Sequence, residues 1–600
     1  MCGIFTLINN SKTYNKEIVN EAFEKGKNRG PDNSSITIIN NITLGFHRLA
    51  INGLNSISNQ PIWIDNIGLI CNGEIYNFGE LTAMINITPN TNSDCEIIIH
   101  LYKKFGIEYT LSLLDGYFSF IIYDMSNINE EPIIYIARDP YGVRPLYILH
   151  SLNTTINDSE TNSDKYKYID DNIIAFSSDL KVLNDLLNVE QNKKLVYKQQ
   201  NNNICNYEKN NNSTDIREMI IEHYPPGTYS KLIKDTKINS FYNFDIFAKK
   251  YSELPFYDNK NILSNYTSEK ELESCYNLLY YSLKDAVEKR VIGTTDRPIA
   301  CLLSGGLDSS LITALVSNCY DKQLETYSIG MPGGEDLKYA RMVAQHIGSK
   351  HTEIIISEDD FFNAIPEVIR TIESYDTTTI RASVGNYLVS KYISKNSDAK
   401  VIFNGDGSDE LTGGYLYFHF APDALAFDCE VKRLIKDIYL FDVLRSDKSI
   451  SSNGLEPRTP FLDRAWVQTY LSIPLKYRYT PDKIEKWLLR KSIEVMNPSL
   501  LPYEVLWRTK EAFSDGVSNQ SKSWFEIITE RTNQMDFITS HKNDVISHLP
   551  PKTNEQKYYR TIFDNLYPNC SNIIPYFWMP KFIDATDASA RTLPIYNKNK

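Results

Sequence analysis

The stretch Ile299-Ala-Cys-Leu-Leu-Ser-Gly-Gly-Leu-Asp-Ser-Ser310 constrains the fold more than any other in the chain. A short apolar run enters two glycines, and Asp308, Ser309 and Ser310 then lead into the apolar pattern Leu311, Ile312, Ala314, Leu315, Val316. That order predicts a buried strand, a tight loop and a helix start. Glycines let the backbone come close to a phosphate, and the free N–H groups and positive dipole end of the helix favour an anion there. Glycine and serine also serve ordinary turns and caps, but the hydroxyls of Ser304, Ser309 and Ser310 around one carboxylate exceed what a cap needs. No Gly-Lys-Ser/Thr ending follows, so the loop is not of the Walker type.

From Ile299 the sequence alternates: strand to Leu303, helix from Asp308, strand Glu325 to Ile329, helix Glu335 to Ile347, strand His351 to Ile356, helices to Lys395, strand Lys400 to Phe403. Such alternation predicts a parallel sheet that binds ligands at its C-terminal strand ends. Polar clusters fall there, at Ser304 to Ser310, Gly330 to Gly333 and Asn404-Gly-Asp-Gly-Ser-Asp-Glu410. The earlier half has a different rhythm. Strand-like runs at Ile36–Ile39, Ile67–Cys71, Tyr117–Tyr123, Ile133–Ala137 and Ile173–Phe176 are separated by helical patterns such as Glu17–Lys27 and Asp94–Phe105. They predict two antiparallel sheets sandwiched by helices. Arg138 to Leu146 is expected to be a structural corner, and Tyr224 to about Asn259 a domain connection. Two Asn-rich stretches, near 151–172 and 188–215, are expected to be solvated insertions. The expected domains are therefore 1–235 and 236–600, an α/β chain of two units.

Six hundred residues with 42% hydrophobic content can fill two cores. The net charge of −12 argues against a nucleic-acid partner. No window approaches eighteen apolar residues and no signal peptide is legible, so no membrane partner is expected and the cytoplasm is the expected location. The nine cysteines contain no C-x-x-C pair and the nine histidines no H-x-x-x-H pair, which points to reduced thiols and away from structural zinc.

Cys2 stands apart from the other cysteines. With Met1 removed it carries both a thiol and a free α-amine of unperturbed pKa about 7.7 to 8.0, so one residue supplies nucleophile and base. Met1-Cys2-Gly3-Ile4, Asn28-Arg-Gly-Pro-Asp32, Gly45-Phe-His-Arg-Leu-Ala-Ile51, Cys71-Asn-Gly-Glu-Ile-Tyr-Asn77 and Ser93-Asp-Cys-Glu96 follow in order. Together they resemble the glutaminase domain of the N-terminal-nucleophile amidotransferases, which implies an αββα sandwich. In a glutamine pocket of that kind Arg48 would clamp the α-carboxylate, with Leu49, Ala50 and Ile51 beside it. Asp94 and Glu74 would hold the α-ammonium, and Asn72 and Gly73 would donate to the oxyanion. Asn28 departs from the histidine common in that family.

Ser304-Gly-Gly-Leu-Asp-Ser309 resembles the pyrophosphate loop of enzymes that cleave ATP between its α and β phosphates, which implies an adenine nucleotide hydrolase-like parallel sheet with a helical C-terminal part. A Cys2 glutaminase ahead of it makes the pair similar to the glutamine-hydrolysing asparagine synthetases. Glu373 to Ser383, Gly413 to His419, Pro460 to Asp463 and Trp507 to Gly516 fit that family. The resemblance implies glutamine, aspartate and ATP as substrates, with AMP and pyrophosphate among the products, and is compatible with a homodimer. ATP would lie on Leu302, Ser304, Gly305, Gly306, Asp308, Ser309, Ile329, Asn404 and Gly405. Asp308 would contact Mg²⁺-pyrophosphate, Thr378, Arg381 and Lys510 would bind aspartate or pyrophosphate, and Asp406 would steer adenylate formation and ammonia attack. The family usually reads Ser-Gly-Glu where this chain has Asn404-Gly-Asp406, one methylene shorter at the carboxylate. A pyrophosphate-loop amidotransferase acting on another carboxylate is the alternative reading.

Overall fold

A computed structural model describes residues 1–10, 14–127, 131–151, 173–189, 219–235, 240–242, 249–253, 268–294, 296–511, 513–518, 522–535 and 548–596. Most of both Asn-rich stretches lies outside the described residues. In the first half, β1 (Gly3–Ile8), β2 (Asn33–Ile39), β3 (Ile42–Arg48), β4 (Ile62–Ile64), β5 (Ile67–Ile75), β6 (Gly116–Asp124), β7 (Ile133–Arg138), β8 (Tyr147–Ser151), β9 (Ile174–Ser177), β10 (Met219–His223), β11 (Thr228–Asp235), β12 (Ser240–Tyr242) and β13 (Lys249–Lys250) form two antiparallel sheets. One runs β10-β8-β9-β1-β3-β2, the other β12-β11-β7-β6-β5-β4 with β13 on β11.

Alternation along β1 decides the layering. Phe5 and Leu7 pack on Val19, Ala22 and Phe23 of α1 (Lys16–Glu24), whereas Ile4 and Ile8 join Ile70, Ile121 and Ile136 of the second sheet. The outer face of that sheet, with Leu69, Cys71, Phe118 and Phe120, is covered by Leu81 of α2 (Phe78–Ile85) and by Ile98, Leu101 and Leu111 of α3 (Ile97–Leu113). The result is the expected αββα sandwich. Residues 228–235, expected within a connection, form β11, because Tyr229 and Leu232 are buried on the sheet. Past 235, β12 and β13 still pair with β11. The corner at Arg138 forms as expected: its guanidinium donates to the carbonyls of Arg144, Gly142 and Tyr224, and the Asp139 carboxylate accepts the N–H groups of Tyr141, Val143 and Arg144.

The second half begins with α4 (Glu269–Ile292) and continues through β14 (Ile299–Leu302), α5 (Leu307–Cys319), β15 (Glu325–Gly330), α6 (Glu335–Ile347), β16 (Lys350–Ile355), α7 (Thr377–Asn396), β17 (Val401–Phe403), α8 (Asp442–Ser451), β18 (Glu456–Arg458), α9 (Trp487–Met496) and α10 (Asn554–Leu566). Its sheet is parallel, in the order β16-β15-β14-β17-β18. The chain leaves β14 toward β15 on one side and returns as β17 on the other. That reversal opens a crevice at the ends of β14 and β17, the place where ligands bind in such sheets.

A buried ionic seam joins the halves. Arg29 donates to Asp447 Oδ1 at 2.8 Å and to Ser451 Oγ at 3.0 Å. Lys448 bonds Asp179 Oδ1 at 2.9 Å and also Glu373, whose carboxylate accepts the N–H groups of Leu180 and Lys181. Burial alone would push the Asp179 carboxyl up, but Lys181, Lys448 and Arg29 hold it well below the usual carboxylate range. Removing one partner of such a buried group leaves an uncompensated charge and costs about 3–5 kcal/mol. Lys448→Met should therefore lower the denaturant midpoint by an equivalent amount in urea unfolding, and an unchanged midpoint would contradict the role given to the seam.

Candidate active sites

Cys2 directly precedes β1, one step before the Gly3–His47 pair, which sets it opposite Arg48. Its half-buried thiol lies 3.7 Å from the Leu49 carbonyl, and burial pushes its pKa up to about 11. It therefore needs a base. Met1 is buried beside it, with its ammonium 3.5 Å from Glu456 Oε2 and its pKa lowered by that burial.

Ser178 ties this strand to the expected oxyanion donors: its Oγ accepts from Ile4 N at 3.1 Å and from Asn72 Nδ2 at 3.4 Å. Gly73 cannot carry a side chain, since a Cβ would fall 2.6 Å from the Tyr117 carbonyl oxygen. Glu74 is buried against Arg458 at 3.1 Å and accepts from Asn52 Nδ2 at 2.6 Å. Burial nevertheless keeps its pKa well above the usual value. Asp94 accepts Ile75 N–H at 2.7 Å, and burial raises it to about 6. Arg48 is placed with its fork closed on its own loop. Nη1 donates to Asn55 O at 2.9 Å and Asn59 Oδ1 at 2.7 Å, and Nη2 to the carbonyls of Asn52 and Gly53. Leu49, Ala50 and Ile51 follow it, all buried, with Ala50 N bonded to Asp32 Oδ2 at 2.8 Å. Asn28 is exposed.

At the second site the loop after β14 interlocks with the one after β17. Gly305 has φ +75, and a Cβ on it would meet Ala340 N of α6 at 2.4 Å. One on Gly405 would lie 2.7 Å from Asp308 C and Ser309 N. Ser304 Oγ and Ser309 Oγ are 2.9 Å apart, closing the turn before α5. The crevice is lined by Leu302, Ser304, Gly306, Asp308, Ser309, Ile329, Thr378, Asn404, Gly405, Asp406 and Lys510, with Tyr415 and Trp578 on its wall. Gly305 supports this lining from behind.

Charge at the crevice is balanced by two lysines. Lys486, which the sequence reading missed, places Nζ 2.6 Å from both Asp308 oxygens and 2.5 Å from Asp409. Lys510 lies 2.6 Å from Asp409 and 3.6 Å from Asp308. Against the cost of burial, these cations hold Asp409 below the usual range, while the two carboxylates push Lys510 up. Asp406 faces Arg445 at 3.6 Å, and its Oδ2 has no hydrogen-bond partner. The Thr378 hydroxyl is likewise unpartnered. Arg381 is placed differently from its neighbour: its guanidinium is engaged by Glu555 of α10 and by Asp587, at 2.6 to 2.9 Å, and it does not line the crevice.

Strand β18 touches both sites. Glu456 approaches the Met1 ammonium, the Arg458 side chain meets Glu74, and the Arg458 carbonyl accepts Asn404 N–H at 3.1 Å. No local pattern announces β18, Ser178 or Lys486. The nearest signals are the serine pair closing the run to Phe176 and the Glu485-Lys486 step before an apolar helix.

Two family models and a set of curated relatives match this chain. A glutamine amidotransferase domain model matches residues 1–243, and an asparagine synthase model matches residues 278–429 and 424–579. The asparagine synthetase [glutamine-hydrolyzing] of Gallus gallus is 38% identical over 616 residues, covering 99% of each chain. That of Homo sapiens is 38% identical over 611 residues, again with 99% of each chain covered. At this similarity over nearly the full length, the chain belongs to the glutamine-hydrolysing asparagine synthetases.

Proposed function

We propose that this chain is a ligase that makes asparagine from aspartate, with glutamine as nitrogen donor and ATP as the activating substrate. The observation that carries the reading is the pairing of Cys2, at the head of the strand whose Ile4 shares Ser178 with Asn72, with a crevice where the pyrophosphate loop meets Thr378, Asp406 and Lys510.

In the first half-reaction the half-buried Cys2 thiol must lose its proton. The α-amine freed by loss of Met1 takes that proton, and the thiolate attacks the glutamine side-chain carbonyl. Gly73 N–H and Asn72 Nδ2 stabilise the oxyanion, ammonia leaves, and water releases glutamate from the thioester. Asp94 and Glu74 hold the substrate ammonium. Arg48 binds the carboxylate by exchanging loop carbonyls for substrate oxygens.

At the crevice, the aspartate side-chain carboxylate attacks the α-phosphorus of ATP, giving β-aspartyl-AMP and pyrophosphate. Backbone at Leu302, Ile329, Asn404 and Gly405 holds adenine and ribose, and Ser304, Gly305, Gly306 and Ser309 cradle the phosphates. Thr378 offers an open hydroxyl, and Lys510 offsets phosphate charge. Arg381 can join them when Glu555 and Asp587 move aside. Magnesium in such sites is held by one or two carboxylates plus substrate phosphates; Asp308 would be the carboxylate here once it exchanges Lys486, which now sits on both its oxygens, for the ion. When bound there with the phosphates it supplies charge neutralisation to the departing pyrophosphate. Asp406 accepts a proton from the attacking ammonia, which yields asparagine and AMP. Ammonia is protonated in bulk water, so the reading includes an enclosed passage between the two sites. The cytoplasm supplies all three substrates, and a homodimer is the proposed assembly.

Cys2→Ala should abolish glutamine-dependent synthesis and leave ammonia-dependent synthesis within about twofold, because the mutated thiol serves only the first site. Loss of both in a folded protein would contradict two separable sites. Glutamine hydrolysis should also depend on pH through Asp94, which is ionised above about 6 and neutral below it. Only the ionised form attracts the substrate ammonium, so KM for glutamine should rise as pH drops through about 6, separately from any fall in kcat as the α-amine base is protonated. A glutamine KM that stays flat from about pH 5 to 7 would remove Asp94 from that role.

A further inference from the structure

The segment between α4 and β14 reaches across to the loop that follows Arg48. Arg297 Nε donates to Ala50 O at 2.8 Å, and its guanidinium lies 3.6 Å from Asp32 Oδ2. The same Asp32 oxygen accepts Ala50 N–H at 2.8 Å, so both polar groups of the Ala50 backbone are held in a closed ring. Asp296 Oδ2 accepts Gly53 N–H at 2.8 Å. Asn52 Nδ2 bridges Glu74 Oε1 at 2.6 Å and Gly293 O at 2.9 Å. Between these anchors the carbonyls of Asn52 and Gly53 grip the Arg48 guanidinium. Gly53 is left-handed at φ +65, and a Cβ there would lie 2.5 Å from Ser58 Oγ. The loop therefore has little freedom to find this shape without outside contacts.

We propose that Arg297 and Asp296, residues of the synthetase half, are positioning residues for glutamine: through Ala50 and Gly53 they fix the loop that aims Arg48. This deepens the reading of the Cys2 pocket and rests on it. The link has a direction. Five residues beyond Arg297 the same chain ends β14 and enters the pyrophosphate loop, so the backbone that shapes the ATP crevice also sets the glutamine pocket. Lysine at 297 would keep the charge near Asp32 but not the Nε–H that bonds Ala50 O, and alanine would keep neither, so lysine should recover only part of the alanine loss.

The experiment uses the full chain with Met1 removed, and compares Arg297→Ala, Arg297→Lys and Asp296→Ala with the native enzyme. It reads KM and kcat for glutamine hydrolysis, and the rate and ATP KM of ammonia-dependent synthesis. Loss of one charge-assisted bond to the loop should raise the glutamine KM of Arg297→Ala about tenfold, with kcat within about twofold. Arg297→Lys should recover part of that loss, Asp296→Ala should show a smaller rise, and ammonia-dependent synthesis should stay native-like in all three. A glutamine KM within about twofold of native in both alanine variants would overturn the proposal, as would an equal fall in ammonia-dependent synthesis, which marks general damage. Native hydrolysis of glutamine, measured alongside, tests the underlying reading separately. Should Arg297→Ala fold poorly, Asp296→Ala carries the same decision.

Discussion

The chain depends on a layer of buried charge between its halves. Arg29, Asp179, Glu373, Asp447, Lys448, Glu456 and Arg458 are all almost completely excluded from water, and each belongs to a pair that crosses or braces the boundary. Such a seam is a poor source of net stability, because desolvation offsets most of the Coulomb gain. It gives register instead. An apolar interface could slide by a residue or two at little cost, whereas here every slip would strand a buried charge. That precision matters because β18, which Glu456 and Arg458 bound, is one structural contact between one site and the other.

Electrostatics inside the crevice follow from the same economy of cations. A loop without the Walker lysine presents backbone N–H groups and a helix dipole to phosphate, yet its own Asp308 would repel it. Lys486 and Lys510 resolve the conflict from the C-terminal part, sharing Asp308 and Asp409 between them. Because Lys486 is locked by three acceptors, Asp308, Asp409 and Ser408, it neutralises carboxylates more than substrate. Lys510 lines the crevice, as Arg445 does, and is paired with Asp409 at 2.6 Å.

Legibility in the sequence followed how local each signal is. The strand, glycine loop and helix at Ile299 to Val316 were readable because the whole device lies within eighteen residues; residues of the clusters at Ser304 to Ser310 and Asn404 to Glu410 line one crevice, whereas Gly330 to Gly333 does not. Gly73, Gly305 and Gly405 each have a backbone neighbour where a Cβ would sit, a contact that only the folded chain shows. The strand β11 was hidden by the Pro-Pro-Gly turn before it, and β18 by its length and its central proline. Lys486 and Ser178 could not be found locally: Ser408 and Asp308 lie 78 and 178 residues from Lys486, and Asn72 lies 106 residues from Ser178. The side-chain orientation of Arg381 depends on Glu555 and Asp587, which only the folded C-terminal part brings near.

Nitrogen transfer between the two sites is the central claim, and it is tested most directly by synthesis from amide-labelled glutamine, aspartate and ATP beside an excess of an enzyme that consumes free ammonium. If the sites exchange ammonia through the interface, labelled asparagine should form at the same yield per glutamate with or without the scavenger, with AMP and pyrophosphate in equal amounts. If asparagine formation collapses when the scavenger is present, the nitrogen crosses through bulk solvent and the account of two sites joined across the seam is wrong.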